Sequence, residues 1–401
     1  MCLASVQIGM QSIYTMKNVF IYSNEFEKFA YDSSHPLQPL RFKLTYELAK
    51  SYGLFKSSQE RVVKPKPCAV DDLLSVHSID YIEAVEHYNP DMPEWDMQAY
   101  GLNTLDNPVF PQVYTWSLLS VGASLQATKL VESGEAEVAF NIGGGQHHAF
   151  RNRASGFCYF NDIAIAVQYL LDKGYRVAYV DIDAHHGDGV QSIFYRSDRV
   201  LTISLHQSGF YAFPGTGFER EIGEEEGEGY TVNIPLLQGS DDEVFYYAFY
   251  EIVPLLLRAF QPDVLLTQLG ADSLRTDPLA SLDVTTRGFC RVVEGLKELS
   301  PGKWIAFGGG GYDVFNVPRA WTLAWGIMNE TELPDSLPRH YKKVLRKLGI
   351  IEEKKPRLPY EHLQDKHYQS DLKTKIHMLI ELEKTINYIK NHQLALISGK
   401  S

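Results

Sequence analysis

A chain of 401 residues, 44% apolar and 22% charged, has the composition of a soluble globular protein and the length for one large α/β domain or two ordinary ones. Its formal net charge of −12 argues against sequence-independent binding to nucleic acid or anionic membranes, while a cationic, lysine-rich peptide is a compatible partner. Four scattered cysteines, Cys2, Cys68, Cys158 and Cys290, form neither a CxxC pair nor a disulfide framework, so they read as reduced thiols of a cytoplasmic protein and exclude a thiolate zinc site.

The first fifteen residues lack a basic segment followed by a long apolar one, so they are no secretory signal. They are expected to be a disordered extension, or sequence upstream of a true start at Met16, where folded sequence begins. From there, β-rich runs alternate with helical patterns, which predicts a single three-layer α/β domain over 16–350, a mainly parallel central sheet flanked by helices. Strands are predicted at 138–142, 177–183, 200–205, 263–269 and 304–307. Helices are predicted at 115–133, 243–260 with Pro254 as a kink, 285–299, and between a cap at Asn161 and a stop at Gly174. No apolar run approaches the roughly 18 residues of a membrane-spanning helix. In the last segment, 351–401, Glu352-Glu353-Lys354-Lys355-Pro356 reads as a charged connector. Beyond it, Leu372, Ile376, Leu379, Leu382, Ile386 and Ile389 recur at helical steps. This amphipathic helix is expected to pack on its own domain, in a monomer or a weak homo-oligomer.

Polar clusters follow the predicted strands. Gly143-Gly144-Gly145-Gln146-His147-His148 follows the first, Ala184-His185-His186-Gly187-Asp188 the second, His206 the third, Gly270-Ala271-Asp272 the fourth and Gly308-Gly309-Gly310-Gly311-Tyr312-Asp313 the fifth. Because ligands of open α/β sheets bind outside the carboxyl ends of strands, these segments are expected to share one pocket. Burying so many titratable groups is costly unless they are paired or bound to a metal. Asp183 and His185, two apart, can point to one side and share a metal with Asp272. Two carboxylates and one imidazole suit Zn²⁺, or Fe²⁺, with a position left open for chemistry. His147 and His148, freed from crowding by three glycines, can serve as general base and as acid or electrostatic partner. Tyr312, after four glycines, can donate to an oxyanion. Phe157 and Phe213, in glycine-rich loops, can wall a slot for an aliphatic chain.

Taken in order, SSHPLQPLR, DNPVFP, NIGGGQHHAF, RASGFCYFND, DIDAHHGDGVQ, SLHQSGFYAFPGTG, QLGADSLRTDPLASL and GGGGYD resemble the histone deacetylase superfamily, of the arginase/deacetylase fold, over about 16–328. Within it the chain is most similar to the bacterial acetoin-utilisation branch. The resemblance implies a protein lysine deacetylase with one Zn²⁺, or Fe²⁺, per chain on Asp183, His185 and Asp272. It gives His147 and His148 as the acid/base pair with Asp181 and Asp188 as their carboxylate partners, and Tyr312 as the transition-state tyrosine. Phe157, Phe213 and Leu279 become tunnel walls, Asp106 a rim anchor for substrate backbone, Gly310 a substrate contact, and Arg41 the arginine of an internal acetate channel. Structural K⁺ or Na⁺ is implied at Asp181, Ser204 and Leu205, with a second site near Phe194, Val200 and Tyr230. The implied partner is an acetylated protein, an acyl-CoA synthetase for instance. Acetylpolyamine amidohydrolase is the near alternative; arginase-like chemistry is disfavoured because Gly270-Ala271-Asp272 supplies one carboxylate where two are needed.

Overall fold

Eight strands form one sheet: β1 (Met16–Ile21), β2 (Glu60–Val63), β3 (Ala136–Asn141), β4 (Val177–Asp181), β5 (Val200–Gln207), β6 (Thr231–Leu236), β7 (Val264–Gln268) and β8 (Trp304–Phe307). In this computed structural model, residues 16–28, 31, 35–56, 60–87, 94–351 and 361–399 are described. The expected extension over 1–15 and the connector Glu352–Pro356 lie outside them. The strand order is β2-β1-β3-β8-β7-β4-β5-β6, and every neighbouring pair is parallel. Strands β4, β5 and β7 are buried at every position, as the middle of a sheet covered on both faces requires.

Helices flank the sheet in two sets. Val113–Glu132 packs with Asp162–Asp172, while Leu40–Tyr52, Asn316–Met328, Thr286–Leu299 and Asp242–Phe260 pack in succession. Asn161 caps its helix by accepting the Ala164 N–H at 2.8 Å, as its side-chain chemistry predicts. Pro254 lies inside Asp242–Phe260. The strand expected over 177–183 stops at Asp181, because Asp181 Oδ1 accepts the Asp183 N–H at 3.0 Å and draws that amide out of the ladder. Among the described residues no helix is long and apolar enough to cross a membrane.

The C-terminal helix Leu372–Asn391 packs against Asp242–Phe260 and β6, burying Met378, Leu382, Ile386 and Ile389. Its approach is fixed by charge as well: Lys375 Nζ lies 3.0 Å from Asp241 and also bonds Glu243, and Lys390 lies 2.7 Å from Glu251. Upstream of it, Asp365 accepts from the buried Arg319 guanidinium and from the Thr286 N–H at the start of Thr286–Leu299. Asp365→Ala is expected to cost about 2 kcal/mol, since Arg319 loses its carboxylate but keeps the carbonyls of His362 and Leu363. A urea unfolding midpoint equal to that of the unaltered protein would contradict this.

Candidate active site

The strand order puts β3, β8, β7, β4 and β5 side by side, so the five polar segments leave one stretch of sheet edge together. Beyond β4 and β7, Asp183, His185 and Asp272 are buried, with ligand atoms all within 4.8 Å of one another. His185 Nδ1 is 3.3 Å from Asp183 Oδ1 and 3.0 Å from Asp272 Oδ2. Backbone amides hold the carboxylates still: Asp183 Oδ2 accepts from Gly310 N at 2.8 Å, and Asp272 Oδ1 accepts from Ala184 N at 2.8 Å. Gln268 Nε2 adds a bond of 3.1 Å to Asp183 Oδ2. Glycines make this approach possible. A Cβ on Gly270 would stand 2.1 Å from Asp183 Oδ2, and one on Gly310 would stand 2.0 Å from Asp272 Oδ2.

Two carboxylates and an imidazole nitrogen, buried and convergent, form a donor set that fits a divalent cation. Burial opposes charge on His185, but Asp183 and Asp272 outweigh it and hold the imidazole pKa well above its usual value. Burial and the Asp183 charge push Asp272 up to about 6. A proton therefore does the work of the cation when the cation is away, and metal must displace it. Metal affinity is expected to rise with pH above about 6, because the proton held by the cluster is released on binding. Calorimetric titration of the metal-free protein in two buffers would show the proton released; pH-independent binding would contradict it.

The triple glycine after β3 delivers the two adjacent histidines with ring centroids 4.0 Å apart. His147 Nδ1 sits 2.8 Å from Asp181 Oδ2, and His148 Nδ1 sits 2.7 Å from Asp188 Oδ1. With Nδ1–H committed to a carboxylate, each ring turns Nε2 toward the site. The environments differ. Burial would depress His147, yet Asp181 and Asp183 prevail and raise it to about 9. For His148, burial and the charge on His147 prevail and lower it to about 4. In the metal-free chain the pair thus divides into a charged His147 and a neutral His148.

Tyr312 stands across from them, its ring 5.6 Å from that of Phe157 and 6.5 Å from that of His185. Phe213 meets His148 edge-on at 4.9 Å. Phe157 adopts φ +68°, a strained conformation for a residue with a side chain, held in place by Tyr31, which donates to its carbonyl. The structure also brings Arg41 and Leu279 to this end. Arg41 Nη1 donates to Gly311 O at 2.9 Å, and its guanidinium lies near the rings of Phe42 and Trp321. Leu279 is joined to Tyr312 through Asp277, whose two oxygens accept the Leu279 and Tyr312 N–H groups at 2.9 and 2.7 Å. Asp106 is exposed on a loop facing His35. Ser204 pairs with Asp181 across β4 and β5 and bonds His206 Nδ1 at 2.8 Å, with Leu205 next in the strand. Phe194 ends a short helix, Val200 opens β5 and Tyr230 precedes β6.

Three residues that hold the site together went unassigned in the sequence: Gln268, Asp277 and Asp162. Buried Asp162 accepts the Gly145 and Gln146 N–H groups and so shapes the turn into the histidines. Each lies within a motif that was legible, but an acceptor of backbone amides has no spacing of its own to betray it.

Residues 35–328 match the histone deacetylase domain. The chain belongs to the histone deacetylase family. It is 42% identical over 328 residues to the acetoin utilization protein AcuC of Bacillus subtilis, covering 80% of this chain and 84% of that one. It is 39% identical to the type-1 histone deacetylase 1 of Dictyostelium discoideum, covering 81% of this chain. Human histone deacetylase 1 is 38% identical over 80% of it. The matched region spans only 65% and 66% of those two proteins. Among solved structures, an HDAC homolog from Aquifex aeolicus superposes with a TM-score of 0.84 at 34% identity, covering 93% of this chain and all of that one. A structure of an HDAC homolog complexed with SAHA gives a TM-score of 0.83, again at 34% identity, covering 94% of this chain and 100% of the other.

Proposed function

We propose that this histone deacetylase family member is a metal-dependent hydrolase that removes acetyl groups from N-ε-acetyl-lysine of proteins. One observation carries the reading: Asp183, His185 and Asp272 converge beside two carboxylate-paired histidines and Tyr312. The cation is Zn²⁺, or Fe²⁺, at one per chain, and when bound it supplies Lewis acidity that polarises a carbonyl and eases loss of a proton from water.

The residues divide the remaining work. Phe157 and Phe213 flank an aliphatic lysyl stem, whose neutral amide suits apolar walls better than an amine does. His148, neutral with Nε2 unprotonated, accepts the proton that water loses as it adds to the acetyl carbon. Tyr312 donates to the oxygen that gains charge. As the C–N bond breaks, His148 passes the proton it accepted to the nitrogen, which leaves as the lysine amine, while acetate departs past Arg41, a buried cation behind the tyrosine loop. His147, paired with Asp181, stands beside His148 as its acid or electrostatic partner.

The 42% identity to AcuC supports a place in acetoin or acetate metabolism in the cytoplasm, acting on an acetylated enzyme such as an acyl-CoA synthetase. Acetate release from acetyl-lysine peptides by protein loaded with Zn²⁺ or Fe²⁺ is the expected result. Activity confined to acetylpolyamines, or absent with both metals, would overturn the reading. Unchanged acetylation of acyl-CoA synthetases after gene deletion would remove the metabolic part of it.

A further inference from the structure

The C-terminal helix Leu372–Asn391 lies beyond the residues that match the family domain and has no part in the chemistry above. It does more than cover the sheet. Between it and the loop that follows β5 runs a groove of about 380 Å³, with Phe210, Phe218, Leu237, Met378, Leu382 and Tyr388 among its walls. Both ends of the helix are pinned. Lys375 is held by Asp241 and Glu243 at one end, and just beyond the other Gln393 Nε2 donates to Glu219 O at 3.1 Å, on the same loop as Phe218. The walls therefore stand apart as a preformed cleft, with apolar side chains along it and Glu219, Arg220, Glu381 and Lys384 also on its lining, which spares a ligand the cost of ordering them.

Its position names the occupant. Phe210 is 78% exposed and belongs to the loop whose Phe213 ring meets His148. Three residues of chain span at most about 11 Å, so the backbone of Phe210, at the groove, lies within that distance of the backbone of Phe213. A peptide whose acetyl-lysine is in the slot reaches it when extended.

We propose that this groove is an exosite for apolar side chains of the acetylated protein, about three to five residues from the acetyl-lysine, and that the C-terminal helix thereby selects substrates. The inference rests on the deacetylase reading.

The test uses the full-length, metal-loaded protein and three substrates: N-α-acetyl-N-ε-acetyl-lysine methylamide, a peptide with Gly and Ser around acetyl-lysine, and peptides with Leu and Phe placed three to five positions to either side. Expected is a KM about tenfold lower for one apolar-flanked peptide than for the Gly/Ser peptide, as burial of one large apolar side chain predicts. In Phe210→Ser and in Tyr388→Ser, thermal melts confirming the fold, that advantage collapses to about twofold or less through KM and not kcat. Equal KM values for both peptides, or an advantage that survives both substitutions, would overturn the exosite while hydrolysis of the methylamide upheld the deacetylase. No hydrolysis of any substrate would sink the deacetylase reading and the exosite with it.

Discussion

Gly310→Ala is expected to abolish metal uptake and to lower activity by at least about 10²-fold, although it adds a single methyl group. The glycine has an ordinary φ, unlike its neighbours Gly309 at +92° and Gly311 at +125°, so alanine brings no backbone strain. The cost is steric and local. The new Cβ would lie 2.0 Å from Asp272 Oδ2 and 2.7 Å from Asp183 Oδ2, inside van der Waals contact with two of the three residues proposed to hold the cation. Either the carboxylates retreat or the loop does. If the loop moves, Asp183 loses the Gly310 N–H that now donates to it at 2.8 Å, and Tyr312 two residues on is displaced with it. A shift of about 1 Å in a catalytic group is enough to cost about 10²-fold. Metal content measured on the purified variant, beside circular dichroism to confirm the fold, decides the matter. A variant that retained one metal per chain and full activity would show that the loop gives way without consequence.

That a glycine bears so directly on the ligands explains what the sequence made plain and what it concealed. Asp183, His185, Asp272 and the two histidines were legible because titratable residues clustered after apolar strands need a reason to be buried. The strands β4 and β7 that lead into the Asp183, His185 and Asp272 cluster were legible too, since they are buried along their whole length and read as largely apolar runs. The edges of the sheet were not. β6 contains Pro235, which argues against a central strand, and it sits at the sheet edge, where a missing N–H costs no ladder bond. β2, at the other edge, is four residues long and has no alternation to detect. Asn316–Met328 is buried at almost every position, so it shows no polar face from which a helical period could be read. Arg41, Asp106, Leu279 and the cation-site residues were reached through family resemblance alone, because nothing in their neighbours sets them apart. Asp277 shows why spacing has limits. It acts by receiving the N–H groups of Leu279 and Tyr312, and the second of these contacts, thirty-five residues long in sequence, is invisible until the chain has folded.

Tyr312→Phe is expected to lower kcat by about 10² to 10³ while KM and thermal stability stay close to those of the unaltered protein. Burial and the charges of Asp272 and Asp183 push the phenol pKa far up, with Arg41 opposing them only in part, so the side chain stays a neutral O–H donor across the working pH range. No hydrogen bond to that hydroxyl is made by any described residue, which leaves the proton available to substrate. The ring, by contrast, is well seated against Phe157, and phenylalanine fills the same place. An effect confined to kcat would follow, because the oxygen that the hydroxyl serves bears little charge in bound substrate and most of it at the tetrahedral stage. Rise of KM with unchanged kcat would instead make Tyr312 a binding residue and move the oxyanion role elsewhere. The pH profile separates these outcomes further. A donor whose pKa lies far above neutrality adds no ionisation of its own, so Tyr312→Phe should lower the whole profile without displacing either limb. A displaced acidic limb would implicate the tyrosine in setting the protonation of the histidine pair.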